Sequence, residues 1–214
     1  MSGETGLLWS VDHLVYACPD LPAGIERIES LLGVAATLGG RHPGAGTRNA
    51  LLSLGPSSYL EIIGPDPEQP EPAQPRLFGI DALTSPRLAT WAARDGDLEK
   101  RVADALKQGI PLGQVKAGSR QSSDGSLLSW RYTSPATVLG GGLVPFFIDW
   151  GATPHPARNA GRGARLIAFR AEHPDAASVR DLLTKLGLDL PVAAGPGPAL
   201  IAEIASPKGR VELQ

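Results

Sequence analysis

Residues 11–33, VDHLVYACPDLPAGIERIESLLG, set out a strand, a break, a helix and a stop, and this order constrains the fold more than any other feature of the chain. Val11 to Val15 alternate β-branched and apolar types and carry one histidine, His13. Pro19-Asp20 ends the run, and Leu21, Ile25, Ile28, Leu31 and Leu32 then recur at spacings of three and four up to Gly33. The order returns twice. From Arg87, RLATWAAR is followed by Asp97 as an N-cap and a stripe of Leu98, Val102, Ala105 and Leu106 ending at Gly109. From Ala164, Pro174-Asp175 and Leu186-Gly187 fall on Pro19-Asp20 and Leu32-Gly33, and Ala168 falls where His13 stands. Only the first copy carries a histidine at this position of its strand.

Each helix is followed by short strand patterns separated by turn residues. In the first unit these are Val34 to Leu38, Thr47 to Leu54 and Ser58 to Gly64; in the second, Gln114 to Ala117, Leu127 to Thr133 and Val144 to Trp150. The third closes with LIAEIAS and RVELQ, which put Glu212 where Glu61 stands. The chain therefore reads as α+β, built of tandem βαβββ modules: 7–64 and 87–151 form one domain, 7–151, and a third, shorter module spans 163–214. Residues 65–76, PDPEQPEPAQPR, read as an extended Pro-rich linker.

Composition excludes several functions. A formal charge of −2 over 214 residues leaves no basic footprint for nucleic acid and no polybasic membrane patch. A single cysteine, Cys18, permits no internal disulfide and fits a reducing cytoplasm. No apolar run approaches the ~20 residues of a membrane span, and the N-terminus shows no signal-peptide pattern. Neither GxGxxG nor GxxxxGK[ST] occurs, so no nucleotide cofactor is expected.

A first strand bearing Asp12-His13, a Pro-Asp helix start, the loop GGRHPGAGTRN and the strand SYLEIIG together resemble the glyoxalase-like domains of the vicinal oxygen chelate superfamily, the glyoxalase, bleomycin-resistance and dihydroxybiphenyl-dioxygenase group. The resemblance runs over roughly residues 11–151. It implies paired βαβββ modules curling into a half-open mixed sheet around a cleft that often holds a divalent metal. It also implies that the first and last strands of each module give one ligand apiece. Carried over, that assigns His13 and Glu61 in unit one, a pair suited to Zn, Mn, Fe or Ni. Unit two offers Thr90 or Trp91, and Phe147 or Ile148, none of them a good ligand.

The set is then completed from nearby. His155, between Pro154 and Pro156, is the candidate third ligand or general base, giving His13, Glu61 and His155 as the metal set and Glu61 with His155 as the catalytic pair, with His42 and water as the other way to close the site. His42 and Asn49 at the 39–49 loop, Arg131 and Trp150 are the substrate-binding candidates. Each also has a plain structural use: a hydrogen-bonded core histidine, a solvated sheet face, an outward arginine, a cleft wall. The activity implied is that of a glyoxalase-like small-molecule enzyme: an isomerase, lyase or dioxygenase-like catalyst doing metal-assisted chemistry on an oxygen-rich substrate. The alternative is a non-catalytic binding or sequestering protein that has lost the metal. The third unit, with no fourth to pair with, is expected to pack on its counterpart in a homodimer.

Overall fold

The computed structural model describes residues 4–121, 125 and 127–214. In chain order the elements are α1 (Glu4–Ser10), β1 (Val11–Ala17), α2 (Leu21–Leu32), β2 (Thr37–His42), β3 (Thr47–Gly55), β4 (Ser58–Pro65), β5 (Arg87–Arg94), α3 (Leu98–Lys107), β6 (Val115–Gln121), β7 (Leu127–Thr133) and β8 (Phe146–Asp149). After these come β9 (Arg165–His173), α4 (Ala176–Lys185), β10 (Val192–Ala194), β11 (Ala199–Ser206) and β12 (Gly209–Leu213). Helix α1 lies where the sequence predicts no element, and buried Leu7 ties it to the main core. None of the described helices is long and apolar enough to cross a membrane.

The three aspartates at the helix starts act as N-caps. Asp20 accepts from the Ala23 amide at 2.9 Å, Asp97 from Lys100 at 3.0 Å and Asp175 from Ser178 at 3.1 Å. Each satisfies an orphan amide of a first helical turn, worth about 1 kcal/mol. Gly33 closes α2 at φ 69°, a left-handed conformation that a Cβ would penalise.

Strands β1 to β8 form one sheet in the order β2-β3-β4-β1-β5-β8-β7-β6. β1 runs parallel to β4 and β5 parallel to β8, while β1 and β5 meet antiparallel in the middle. The two halves thus repeat one wiring about a central seam. The outer strands β2 and β6 approach each other, so the curled mixed sheet around the cleft is nearly closed. Strand alternation separates its faces. Leu14, Tyr16, Leu60, Ile62, Trp91 and Phe147 turn outward into a core shared with Ile28 of α2 and Leu98 of α3. His13, Tyr59, Glu61, Ile63, Phe146 and Ile148 line the inside. Strand β2 begins later than its sequence pattern suggests. Its pairing with β3 shifts register between Leu38 and Arg41, across Gly39-Gly40. Residues 66–76 hold no regular element, but Asp66 is buried beside Arg41, whose Nε lies 3.3 Å away, and this pins the segment to β2.

The last unit has the expected order of elements but a different wiring. Its four strands pair as β10-β9-β11-β12, with β11 between β9 and β12. Glu203, not Glu212, therefore stands opposite Ala168, and Glu212 is an exposed partner of Arg170 at 2.8 Å. The correspondence of Glu212 with Glu61 is lost because an intervening strand separates it from β9. The apolar side of this sheet, with Leu166, Phe169, Leu200, Ala202 and Ile204, packs into the same core as the main sheet, and Phe169 meets Trp91 edge-on at 5.4 Å. The apolar face of the smaller sheet is thus covered within the chain.

Phe169→Ala would leave a cavity between the two sheets and is expected to destabilise the chain by about 3–5 kcal/mol in urea unfolding. A loss below about 1 kcal/mol would mean that the smaller sheet is not clamped through this contact.

Candidate functional site

Inside the curled sheet lies a cleft of about 450 Å³, within the roughly 300–1,000 Å³ of small-molecule sites. Glu61 of β4 is its central carboxylate, 8% exposed. Asn49 Nδ2, from neighbouring β3, donates to Glu61 Oε1 at 2.6 Å. His13 Nε2 stands 3.8 Å from Glu61 Oε2, and His42 Nε2 stands 3.9 Å from Oε1. Both imidazoles thus flank the carboxylate just beyond hydrogen-bonding reach. A substrate atom or water between them would have a partner on either side.

Asn49 is fixed from behind. Its Oδ1 accepts from the Gly40 amide at 2.9 Å, and a Cβ at Gly39 would come within 2.0 Å of that same Oδ1. Glycine at 39 is therefore a condition for the asparagine to sit where it does. His42 Nδ1 lies 2.9 Å from Thr47 Oγ1, and Asn49 Nδ2 lies 3.3 Å from His42 Nε2. That network selects the neutral tautomer, with Nδ1–H donating to Thr47 and Nε2 accepting from Asn49. Burial pushes the His42 pKa down, with Glu61 opposing and Arg120 adding to the shift.

His13 is oriented by a residue that strand alternation would send to the opposite face. A register shift between Val11 and His13 turns Asp12 to the same side, where Oδ1 accepts from His13 Nδ1 at 2.8 Å. Asp12 also accepts from Trp150 Nε1, 3.2 Å from both its oxygens, and its Oδ2 lies 3.1 Å from His155 Nε2. Burial works to raise the Asp12 pKa, but hydrogen bonds from His13 and His155 and their charges outweigh it and hold the carboxyl well below its ordinary range. Tyr59 stacks on the His13 ring at a centroid distance of 4.6 Å. Its phenol is pushed well above the usual value by burial and by the Asp12 and Glu61 charges.

The part of the opposite wall formed by β5 and β8 is apolar. Ala92 faces His13 across the seam, Thr90 pairs with Val15, and Trp91 turns to the outer core, where its Nε1 donates to the Leu143 carbonyl at 2.8 Å. On β8, Phe147 points outward while Phe146 and Ile148 line the cleft. Phe78, held at the left-handed φ of 64°, also lines it and packs toward Phe146 at 6.5 Å.

Of the residues singled out from sequence, His13, Glu61, His42, Asn49 and Trp150 line this one cleft. His155 does not join Glu61; it sits behind Tyr59 and Trp150, against Asp12. Arg131 turns away and pairs with Glu99 on the outside. The metal set His13, Glu61 and His155 is thus not assembled. Among the described residues no three His, Cys, Asp or Glu side chains are grouped to hold a metal ion. With Ala92, Phe146 and Ile148 facing the His13–Glu61 pair, the donors present do not fit the metal centre that the resemblance implies. Three cleft or supporting residues escaped the sequence: Asp12, hidden by the register shift; Tyr59, indistinguishable from a core aromatic; and Arg120, in a polar stretch without a motif.

Comparison with known proteins places these features in context. The profile of the glyoxalase-like domain family matches residues 11–187. No curated protein matches the chain. Among solved structures, a hypothetical protein from Staphylococcus aureus is 11% identical with a TM-score of 0.59, over 94% of this chain and 83% of that one. Methylmalonyl-CoA epimerase from Mycobacterium tuberculosis is 19% identical with a TM-score of 0.44, over 71% and 92%. A Streptomyces coelicolor methylmalonyl-CoA epimerase variant in complex with 2-nitronate-propionyl-CoA is 18% identical with a TM-score of 0.44, over 68% and 97%. The first likeness shows a shared fold.

Asp12→Asn removes the buried charge that the His13, Trp150 and His155 donors share and is expected to cost about 3 kcal/mol at neutral pH. Because the folded pKa is depressed, this stabilisation is present above the unfolded value of 3.8 and fades as pH falls below it. Thermal unfolding of both proteins across that window checks the sign: a difference that stays constant down to pH 2 would refute it.

Proposed function

The chain belongs to the glyoxalase-like domain family of the vicinal oxygen chelate superfamily, and on that premise we propose that its cleft is the active site of an isomerase-type small-molecule enzyme with Glu61 as general base. One observation carries this: a buried carboxylate, positioned by Asn49 and flanked by two imidazoles that leave a gap beside it. Such a carboxylate is placed to take a proton from a carbon next to a carbonyl. The C–H electron pair moves onto the carbonyl oxygen, giving an enolate. Returning a proton to carbon, at the other face or at the neighbouring position, yields an isomer with no atom gained or lost. His13 Nε2, with Nδ1 anchored on Asp12, is placed to pass that proton to and from Glu61. The divalent Zn, Mn, Fe or Ni expected from the resemblance finds no three-residue ligand set among the described residues, and the proposed transfer uses the carboxylate and imidazoles.

The rival is a sequestering protein that binds in the same cleft without chemistry, and the apolar wall of Phe146 and Ile148 favours it. Exchange of substrate C–H for deuterium in heavy water, followed by proton NMR over neutral and anionic small carbonyl compounds, separates the two. The wild type is expected to catalyse exchange on at least one compound, with Glu61→Gln slowing it by roughly 10²–10⁴-fold and EDTA leaving it intact. Saturable binding with no exchange would establish the rival. Exchange abolished by EDTA and restored by a divalent ion would return the metal to the reaction.

A further inference from the structure

Arg120 of β6 lines the cleft and is 6% exposed. Its Nη1 is buried without a hydrogen-bond partner. Two other arginines leave a buried Nε unpartnered, but their circumstances differ. Arg48 lies beside Asp66 and Glu68, and Arg94 Nη2 donates to the Val11 carbonyl at 2.6 Å and to that of Ser57. Of the three, only Arg120 faces the cleft.

The carboxylate that shares the cleft does not neutralise it. Glu61 is engaged by Asn49 and faces the imidazoles of His13 and His42. The positive charge is nonetheless felt inside the site: it adds to the downward shift of His42 and works against the upward shift of Tyr59. A guanidinium removed from water without an anion is costly, and planar recognition of a carboxylate by two N–H groups is what this side chain does best.

We propose that Arg120 anchors an oxyanion of the substrate, so that the cleft takes a small organic acid with its carboxylate at Arg120 and its body against Tyr59 and Phe146. The proposal rests on the cleft being the small-molecule site described above, and it names the substrate class for that site. Such an acid would lie between a fixed positive charge and the Glu61 carboxylate. The cleft then orients it end to end, and the wrong orientation would set two carboxylates against each other.

Paired acids and neutral amides of the same shape test this: acetate against acetamide, and benzoate against benzamide, with binding measured by ligand-observed NMR and by thermal shift. The wild type is expected to favour the acid of at least one pair by about tenfold or more. Arg120→Gln should bind acid and amide alike. Without any anion, Arg120→Met should melt no lower than the wild type, because an unpaired buried charge has been removed. Glu61→Gln should keep the acid preference even where it abolishes exchange, which separates failure of the anion site from failure of the catalytic assignment. Equal binding of acid and amide by the wild type, failure of all four probes to bind it, or an undiminished preference in Arg120→Gln would overturn the proposal. A melting temperature of Arg120→Met well below that of the wild type would do so as well, since it would assign the arginine a structural role.

Discussion

Every residue of β1 is buried, yet the strand serves two environments at once. Leu14 and Tyr16 enter the outer core, while His13 and Val15 face the interior of the curled sheet. Its position makes this possible: it lies between β4 and β5, parallel to one and antiparallel to the other. The join between the two halves of the sheet is therefore also the floor of the cleft. A slip of one residue would carry His13 into the apolar core and Leu14 into the cleft. Stability and site geometry are thus specified by the same register. The one place where β1 departs from strict alternation, the shift beside Asp12, brings a carboxylate behind the imidazole.

That arrangement explains which parts were legible in the sequence. The Pro-Asp starts and closing glycines are local signals, and the three aspartates cap the helices because a cap depends on the next three residues alone. His13 and Glu61 were readable as neighbours through the family resemblance, which puts one polar residue on the first and one on the last strand of a module, facing the same cleft. Asp12 was not readable, because a register shift leaves no mark in a run of β-forming residues. Arg120 was not readable either, since the interior of a closing sheet exists only once β6 has come round toward β2. The last unit shows the limit most clearly. Its helix start and stop match the first unit, but which strand neighbours β9 is decided by tertiary packing, and the inserted β11 breaks the correspondence of Glu212 with Glu61.

The two halves of the main sheet share a wiring and divide the chemistry unequally. Strands β1 to β4 bring His13, His42, Asn49 and Glu61; the facing strands β5 and β8 bring Ala92, Phe146 and Ile148. A symmetric pair of halves would surround an ion with donors. Here the first half holds the carboxylate and the imidazoles, β5 and β8 provide a dry wall, and β6 adds the one guanidinium, Arg120. Such a wall lowers the local dielectric and strengthens each electrostatic contact across the gap. Strands β5 and β8 add no ligand for an ion.

A cleft of this kind is poised rather than relaxed. Glu61 is held by one strong bond while two imidazoles stand short of contact, and Arg120 keeps a donor with nothing to bind. In a core these would be defects, since each buried polar atom without a partner weakens the fold. Their gathering in one cavity is the pattern expected where stability has been given up for recognition. The surrounding packing makes this tolerable. Trp91, Phe147 and Phe169 on the outer side hold the strands whose inner faces carry the unsatisfied groups, so the site is rigid without being internally saturated.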